Sequence, residues 1–234
     1  MERKEDRSGV GSECVPRQKA RHDSQGHEGG MTCFESLIHE AVGRRQTAVT
    51  VTKAVRAVAL LYEDPLTGET VEEALRDPFF PLTLYAKRHL WACGRKPVTI
   101  ERAGQDLALL GRIYLRIRSD IDRCFGNAQV TCVDLNGDAV QEVSGGEWCS
   151  LCGECCQLSG TIPDPPEPIR YPGYWYAYIA GDSPLNQRFC PFLFELPPQG
   201  LFFCAIHNVK PMTCLAFGKE NCLEKYPGRA RVFR

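Results

Sequence analysis

CSLCGECC, residues 149–156, places four cysteines in eight positions, and two of them, Cys155 and Cys156, are adjacent. A packed core does not require such crowding, and an ordinary disulfide does not either. Successive C-x-x-C spacings let thiolates converge on one centre through a tight loop whose backbone amides turn toward sulfur. Zinc sites and iron–sulfur loops share this spacing. Gly153 relieves crowding inside the loop. Neighbouring side chains on an extended backbone diverge, so Cys156 either serves a second metal or shares a bridging thiolate.

The other cysteines extend this reading. Cys149, Cys152 and Cys155 form the C-x2-C-x2-C run of bacterial ferredoxins, in which a later cysteine precedes proline; Cys190-Pro191 has that form at greater distance. Cys149, Cys152, Cys155 and Cys190 make one set of four. Cys156, Cys204, Cys214 and Cys222 remain, with His207 nearby. Eight thiolates suit two tetrahedral centres, or one iron–sulfur (4Fe-4S) cluster and one zinc. Sulfur-rich coordination argues against magnesium and calcium but leaves zinc and iron open. Arg170, Arg188 and Lys210 would offset the charge of such centres, although lone basic residues are ordinarily surface charges. Glu154, His207 and Tyr171 are catalytic candidates only by their nearness in sequence.

Composition favours metal ligation. The chain has 234 residues, 43% of them hydrophobic and 24% charged, as in an ordinary globular protein. Its formal net charge of -1 supplies no basic field for nucleic acid or acidic lipid. No apolar run approaches the roughly 20 residues that span a bilayer, and no secretory signal is readable, so a cytoplasmic protein is expected. Thirteen cysteines in a reducing compartment point to metal or redox chemistry before structural disulfides. Cys33, Cys93 and Cys124 read as small buried apolar residues, and Cys14 reads as an unstructured thiol. The eight clustered cysteines do not fit that plain account. A structural zinc site contributes about 10–16 kcal/mol of apparent binding energy, comparable with the whole stability of a domain at about 5–15 kcal/mol.

The sequence divides into a polar, aperiodic extension over 1–30, a helical region over 31–126 and a cysteine-cluster metal-binding domain over 127–234. The fold class expected is α+β: helices first, then a small irregular cysteine-rich domain with short strands. Thr32 and Glu35 have capping-box spacing, and a helix opening just after Met31 makes that methionine the expected true start. Thr47 to Tyr62 carries one apolar face, ended by Asp64-Pro65 and Thr67-Gly68. Thr70 and Glu73 form a second capping box before a short helix over Val71 to Arg76. Another helix is expected over Leu82 to Ala92, with Gly94 beyond its end.

The clearest helix is Glu101 to Cys124, where Ala103, Leu107, Leu110, Tyr114, Ile117 and Ile121 repeat at steps of four and three. Arg112, Arg116, Arg118 and Arg123 form its solvated face, and Gly104 and Gly111 permit close packing. VTCVDLNGDAVQEV then alternates about Asn136-Gly137 as a hairpin, with Cys132 a small buried side chain on it. Asp134, Asn136 and Asp138 resemble the start of a calcium loop, but Ala139 and Gly145 stand where glycine and a bidentate glutamate belong, which excludes calcium. The aromatic segment around Tyr171, Tyr174, Trp175, Tyr176 and Tyr178 is expected to be an ordered, irregular wrap. FCPFLFELPPQGLFFCAIH reads as two short strands around Pro197 to Gly200, with a loop or short helix then carrying Cys214 and Cys222.

CSLCGECC, CPFL and CAIHNVKPMTCLAFGKENC together resemble the zinc- or iron-chelating cysteine-cluster domain family of the YkgJ (CxxCxxCC) type. The resemblance covers about Trp148 to Cys222. It departs where His207 replaces a tyrosine and where Lys210 and Leu215 replace arginines. It implies metal binding through the eight cysteines, with a structural, electron-transfer or metal-handling role. One branch, flagellin lysine N-methylase, implies an alternative enzyme of protein methyl transfer, although the chain lacks a glycine-rich methyl-donor loop. A nucleic-acid-binding zinc module is disfavoured by the near-neutral charge. A thiol–disulfide enzyme would need a low-pKa attacking thiol, often in a C-x-x-C at a helix start, and the surplus of cysteines favours ligation instead. The partners expected are metal ions, with no membrane and no nucleic acid; no protein partner or substrate is named by the sequence.

Overall fold

The computed structural model describes residues 28–45, 53–86, 99–125, 130–131, 133–135, 151–153, 161–181, 190–196 and 201–225. Its helices are α1 (Glu28–Arg45), α2 (Lys53–Ala59), α3 (Pro65–Arg76), α4 (Leu82–Tyr85) and α5 (Ile100–Asp120), which runs into a π turn at Ile121–Phe125. After these come α6 (Gly173–Ala180), the strands β1 (Leu193–Leu196) and β2 (Leu201–Cys204), a 3-10 turn at His207–Val209, α7 (Met212–Leu215) and α8 (Lys219–Lys225). The described chain is thus mostly helical, with one two-stranded antiparallel sheet. No described helix is long and apolar enough to cross a membrane.

Helix α5 is the spine. Ala103, Leu107, Leu110, Tyr114, Ile117 and Ile121 are each no more than 1% exposed, so the four-and-three stripe is the buried face. Arg112, Arg116 and Arg123 are exposed, whereas Arg118 is partly buried and reaches Asp77 and Asp122. Helix α3 lies against α5 through Val71, Ala74 and Leu75. A Cβ at Gly111 would stand 3.3 Å from that of Ala74, so glycine permits this close approach. Two phenols lock neighbouring segments onto the spine: Tyr62 donates to the Gly104 carbonyl at 2.8 Å, and Tyr85 to the Ala103 carbonyl at 2.6 Å.

Several local expectations are corrected. Helix α1 already includes Glu28–Gly30, so Thr32 lies within it and does not start it. A capping box marks a favourable start but does not end a helix that extends before it. The Asp64-Pro65 pair opens α3: the Asp64 carboxylate accepts from the Leu66 and Thr67 amides, and Pro65 occupies the first turn. Thr70 therefore sits inside α3, its hydroxyl donating to the Leu66 carbonyl at 2.8 Å. The aromatic segment is helical where an irregular wrap was expected. Pro172 precedes α6, Gly181 ends it at φ 93, and Tyr171, Trp175 and Ile179 make a buried i, i+4 stripe.

The described residues of the first arm of the expected 130s hairpin form no strand. Their carbonyls are taken by side chains instead, Thr131 by the Asn208 amide and Leu135 by the Arg118 guanidinium. The Asn136-Gly137 turn, Cys14, Cys93 and Cys132 lie outside the described residues, as do all of Thr47 to Thr52 and Lys87 to Ala92.

The β1–β2 ribbon follows the expected pattern, pairing Leu193 with Cys204 and Leu196 with Leu201. All four residues of β1 are buried, because the ribbon lies within the core. Phe194 packs on Tyr114 with ring centroids 4.6 Å apart, and Phe203 packs on Phe79 at 6.0 Å. One continuous core therefore includes residues of both the helical and the cysteine-bearing regions.

Glu195 joins those regions by hydrogen bonds. It is 1% exposed, and its carboxyl accepts from the Thr83 amide at 2.8 Å and the Thr83 hydroxyl at 2.5 Å. Thr83 lies in the first turn of α4, where amides lack intrahelical acceptors. A strand residue 112 positions away thus caps that helix. The expected result of Glu195→Ala is a loss of about 2–3 kcal/mol of unfolding free energy, measured by urea denaturation. An unchanged denaturation midpoint would contradict the capping role.

Candidate metal centre

The ribbon presents two cysteines at its open end. Cys190 precedes β1, and its carbonyl accepts from the Leu193 amide at 3.1 Å. Leu193 faces Cys204, the last residue of β2. Beyond Cys204 the chain turns sharply: the Ala205 amide donates to the Phe192 carbonyl at 2.8 Å, and the 3-10 turn leads to Pro211. Helix α7 then carries Cys214, whose amide donates to the Pro211 carbonyl at 2.8 Å. Cys222 lies on α8.

The first cysteine loop reaches the same ribbon. The Phe202 amide donates to the Leu151 carbonyl at 2.5 Å, so Leu151 bonds to the outer edge of β2. Leu151 has φ 52 and Gly153 φ 70, so Cys152 sits between two residues in the left-handed region. This conformation is routine for glycine and costly for leucine. Packing explains why the second position is glycine: an added Cβ would meet Leu193 Cδ2 at 2.9 Å and Phe202 Cβ at 3.2 Å.

Cys152, Cys190, Cys204, Cys214 and Cys222 are all half-buried. Cys149, Cys155 and Cys156 lie outside the described residues, as do Glu154 and Arg188. Cys190, Cys204 and Cys214 are electrostatic neighbours. Burial holds the Cys204 thiol far above its ordinary range; the charges of Cys190 and Cys214 raise it further, while the Ile206 amide and Lys210 oppose the rise. Tyr171 adjoins the same group. Its phenol is raised first by burial and then by the charges of Cys204, Cys214 and Asp164. It donates to the Val209 carbonyl at 2.6 Å, a structural engagement. His207 is shifted below its usual range, first by burial and then by Lys210.

Among the described residues, no three Cys, His, Asp or Glu side chains form a ready metal-holding group. Their chemistry nevertheless fits a cation. Neighbouring buried thiols raise one another by desolvation and mutual repulsion, and a metal cation reverses both effects by deprotonating the sulfurs it binds. Exposed apolar side chains, Met212 and Leu215, flank Cys214. Asp164 carries no recognisable sequence signal; only the folded backbone brings it beside Met212, at the start of the helix that bears Cys214.

No protein-family model, curated protein or solved structure matches this chain.

Gly153→Ala is expected to lose about 1–2 kcal/mol from the left-handed backbone alone, and more from overlap with Leu193 and Phe202. Thermal unfolding checks this, and wild-type stability in the variant would contradict the seating of the loop on the ribbon.

Proposed function

We propose that this chain is a metal-binding cysteine-cluster protein. Cys149, Cys152, Cys155, Cys156, Cys190, Cys204, Cys214 and Cys222 hold an iron–sulfur cluster, zinc or iron ions, or a combination of these, in a structural, electron-transfer or metal-handling role. The observation that carries the reading is that Cys190 and Cys204 flank the open end of a buried ribbon whose edge bonds to Leu151 of the first cysteine stretch, with Cys214 on a helix that soon follows. The ordered cysteine string resembles the YkgJ-type domain and favours the same chemistry.

The protein's part in this chemistry is to gather and shield sulfur. In this reading the ribbon positions Cys190 and Cys204, α7 carries Cys214, and Cys152 lies between Leu151 and Gly153, both of which meet the ribbon. A bound metal would supply the positive charge that lets these thiols ionise together, so metal uptake would release protons and strengthen with pH. Lys210 lowers the cost of ionising Cys204.

Anaerobic purification, metal analysis and visible absorption test the reading. The expected product retains iron with acid-labile sulfide, zinc, or both. Cys156→Ser is expected to retain roughly half the metal if two separate four-sulfur centres are present, whereas loss of all metal would replace that arrangement with one shared centre. A wild-type chain that contains no metal and takes up neither iron nor zinc would overturn metal binding itself.

A further inference from the structure

We propose that the corner joining α2 to α3 is a docking surface for another protein, whose contacting segment is amphipathic and basic, with apolar side chains flanked by lysine or arginine. This surface belongs to the helical region and its use requires no bound metal, so it stands or falls separately from metal binding.

Three leucines on this corner face water: Leu60 is 78% exposed, Leu61 47% and Leu66 73%. The core-facing positions are filled by others, Val55, Val58 and Ala59 before the turn and Val71, Ala74 and Leu75 on α3. The backbone beneath the leucines is firmly held. The Leu60 amide donates to the Arg56 carbonyl at 3.0 Å, the Leu61 amide to Val58 at 3.2 Å and the Tyr62 amide to Ala59 at 3.3 Å. Tyr62 itself anchors on the Gly104 carbonyl of the spine. A Cβ at Gly68 would stand 2.8 Å from the Ala59 carbonyl oxygen, so the first turn of α3 lies directly against the end of α2. Such a fixed corner lowers the ordering cost of binding.

Charge selects the occupant. Glu63 and Asp64 stand between the leucines and Glu69 follows them, all three exposed. Arg56 turns to Glu72 of α3, at 3.7 Å, and Arg112 of α5 offsets part of the Asp64 charge. Exposed apolar groups rimmed by polar residues mark interaction surfaces, and an acidic rim favours a basic partner because complementary charge speeds encounter while like charge opposes it. A second copy of this chain would set the same acidic rim against itself in a symmetric contact. An anionic membrane surface would repel the rim in the same way.

The test titrates the full-length protein into a labelled helical peptide with leucine on one face and lysine on the other, followed by fluorescence anisotropy. A leucine–glutamate peptide of the same pattern is the control. The lysine peptide is expected to bind and the glutamate peptide not to. Leu60→Gln and Leu66→Gln are each expected to weaken binding about tenfold, the scale of one buried leucine, at an unchanged melting temperature. Glu63→Gln combined with Glu69→Gln is expected to weaken it too and to flatten its dependence on salt. Absence of lysine-peptide binding would overturn the assignment, as would equal binding by wild type and both leucine variants. A lower melting temperature in both leucine variants would overturn it by showing a packing role. Dimerisation of the wild type that Leu66→Gln abolishes would make a second copy the occupant. Leucine-dependent sedimentation with phosphatidylcholine vesicles would make the occupant a lipid surface, and either result would replace the basic partner.

Discussion

A two-stranded ribbon leaves backbone groups unpaired along both outer edges, and burial makes those groups costly. Here each edge finds its partner in a different part of the chain. The Glu195 amide on β1 donates to the Phe79 carbonyl at 2.9 Å, and the Phe202 amide on β2 donates to Leu151. The first bond attaches the ribbon to the helices and the second attaches the CSLCGECC loop. Side chains reinforce the first attachment, with Glu195 capping α4 and Phe194 packing on Tyr114 of the spine. This edge pairing transmits the order of the helical region to the cysteines.

The aromatic helix extends the same core. Trp175 is fully buried, with its ring centroid 5.0 Å from that of Phe192. Tyr174 reaches α5 by donating to Asp120, while the guanidinium of Arg116 lies 3.7 Å from its ring centroid. Aromatic packing therefore joins α6 both to Phe192 beside the ribbon and to α5. Burial of this kind raises the Cys204 thiol, so the surroundings that favour a neutral empty site also strengthen its interaction with a cation.

Much of this architecture was legible because its signals are periodic or local. The apolar stripe from Ala103 to Ile121 specified α5, and the two apolar runs around Pro197 to Gly200 specified the ribbon. Competition between local signals caused the errors. Asp64, with two backbone amides and the Thr67 hydroxyl to accept from, set the start of α3 against the Thr70 capping pattern. Proline density around α6 concealed a helix whose buried i, i+4 pair was present in Trp175 and Ile179, with Tyr171 buried just before it. The Glu195–Thr83 cap and the approach of Asp164 to the cysteine region depend on tertiary proximity and had no local signature. Of the candidate ligands, Cys190, Cys204 and Cys214 are electrostatic neighbours, Cys152 borders the ribbon through its loop, and Cys222 lies on the following helix.

The central claim is that folding gathers these cysteines into a sulfur-rich metal centre. X-ray absorption at the metal edge of anaerobically purified protein tests it most directly. The account predicts a first shell dominated by sulfur, at about 2.3 Å if the metal is zinc. A shell composed only of oxygen and nitrogen would contradict it.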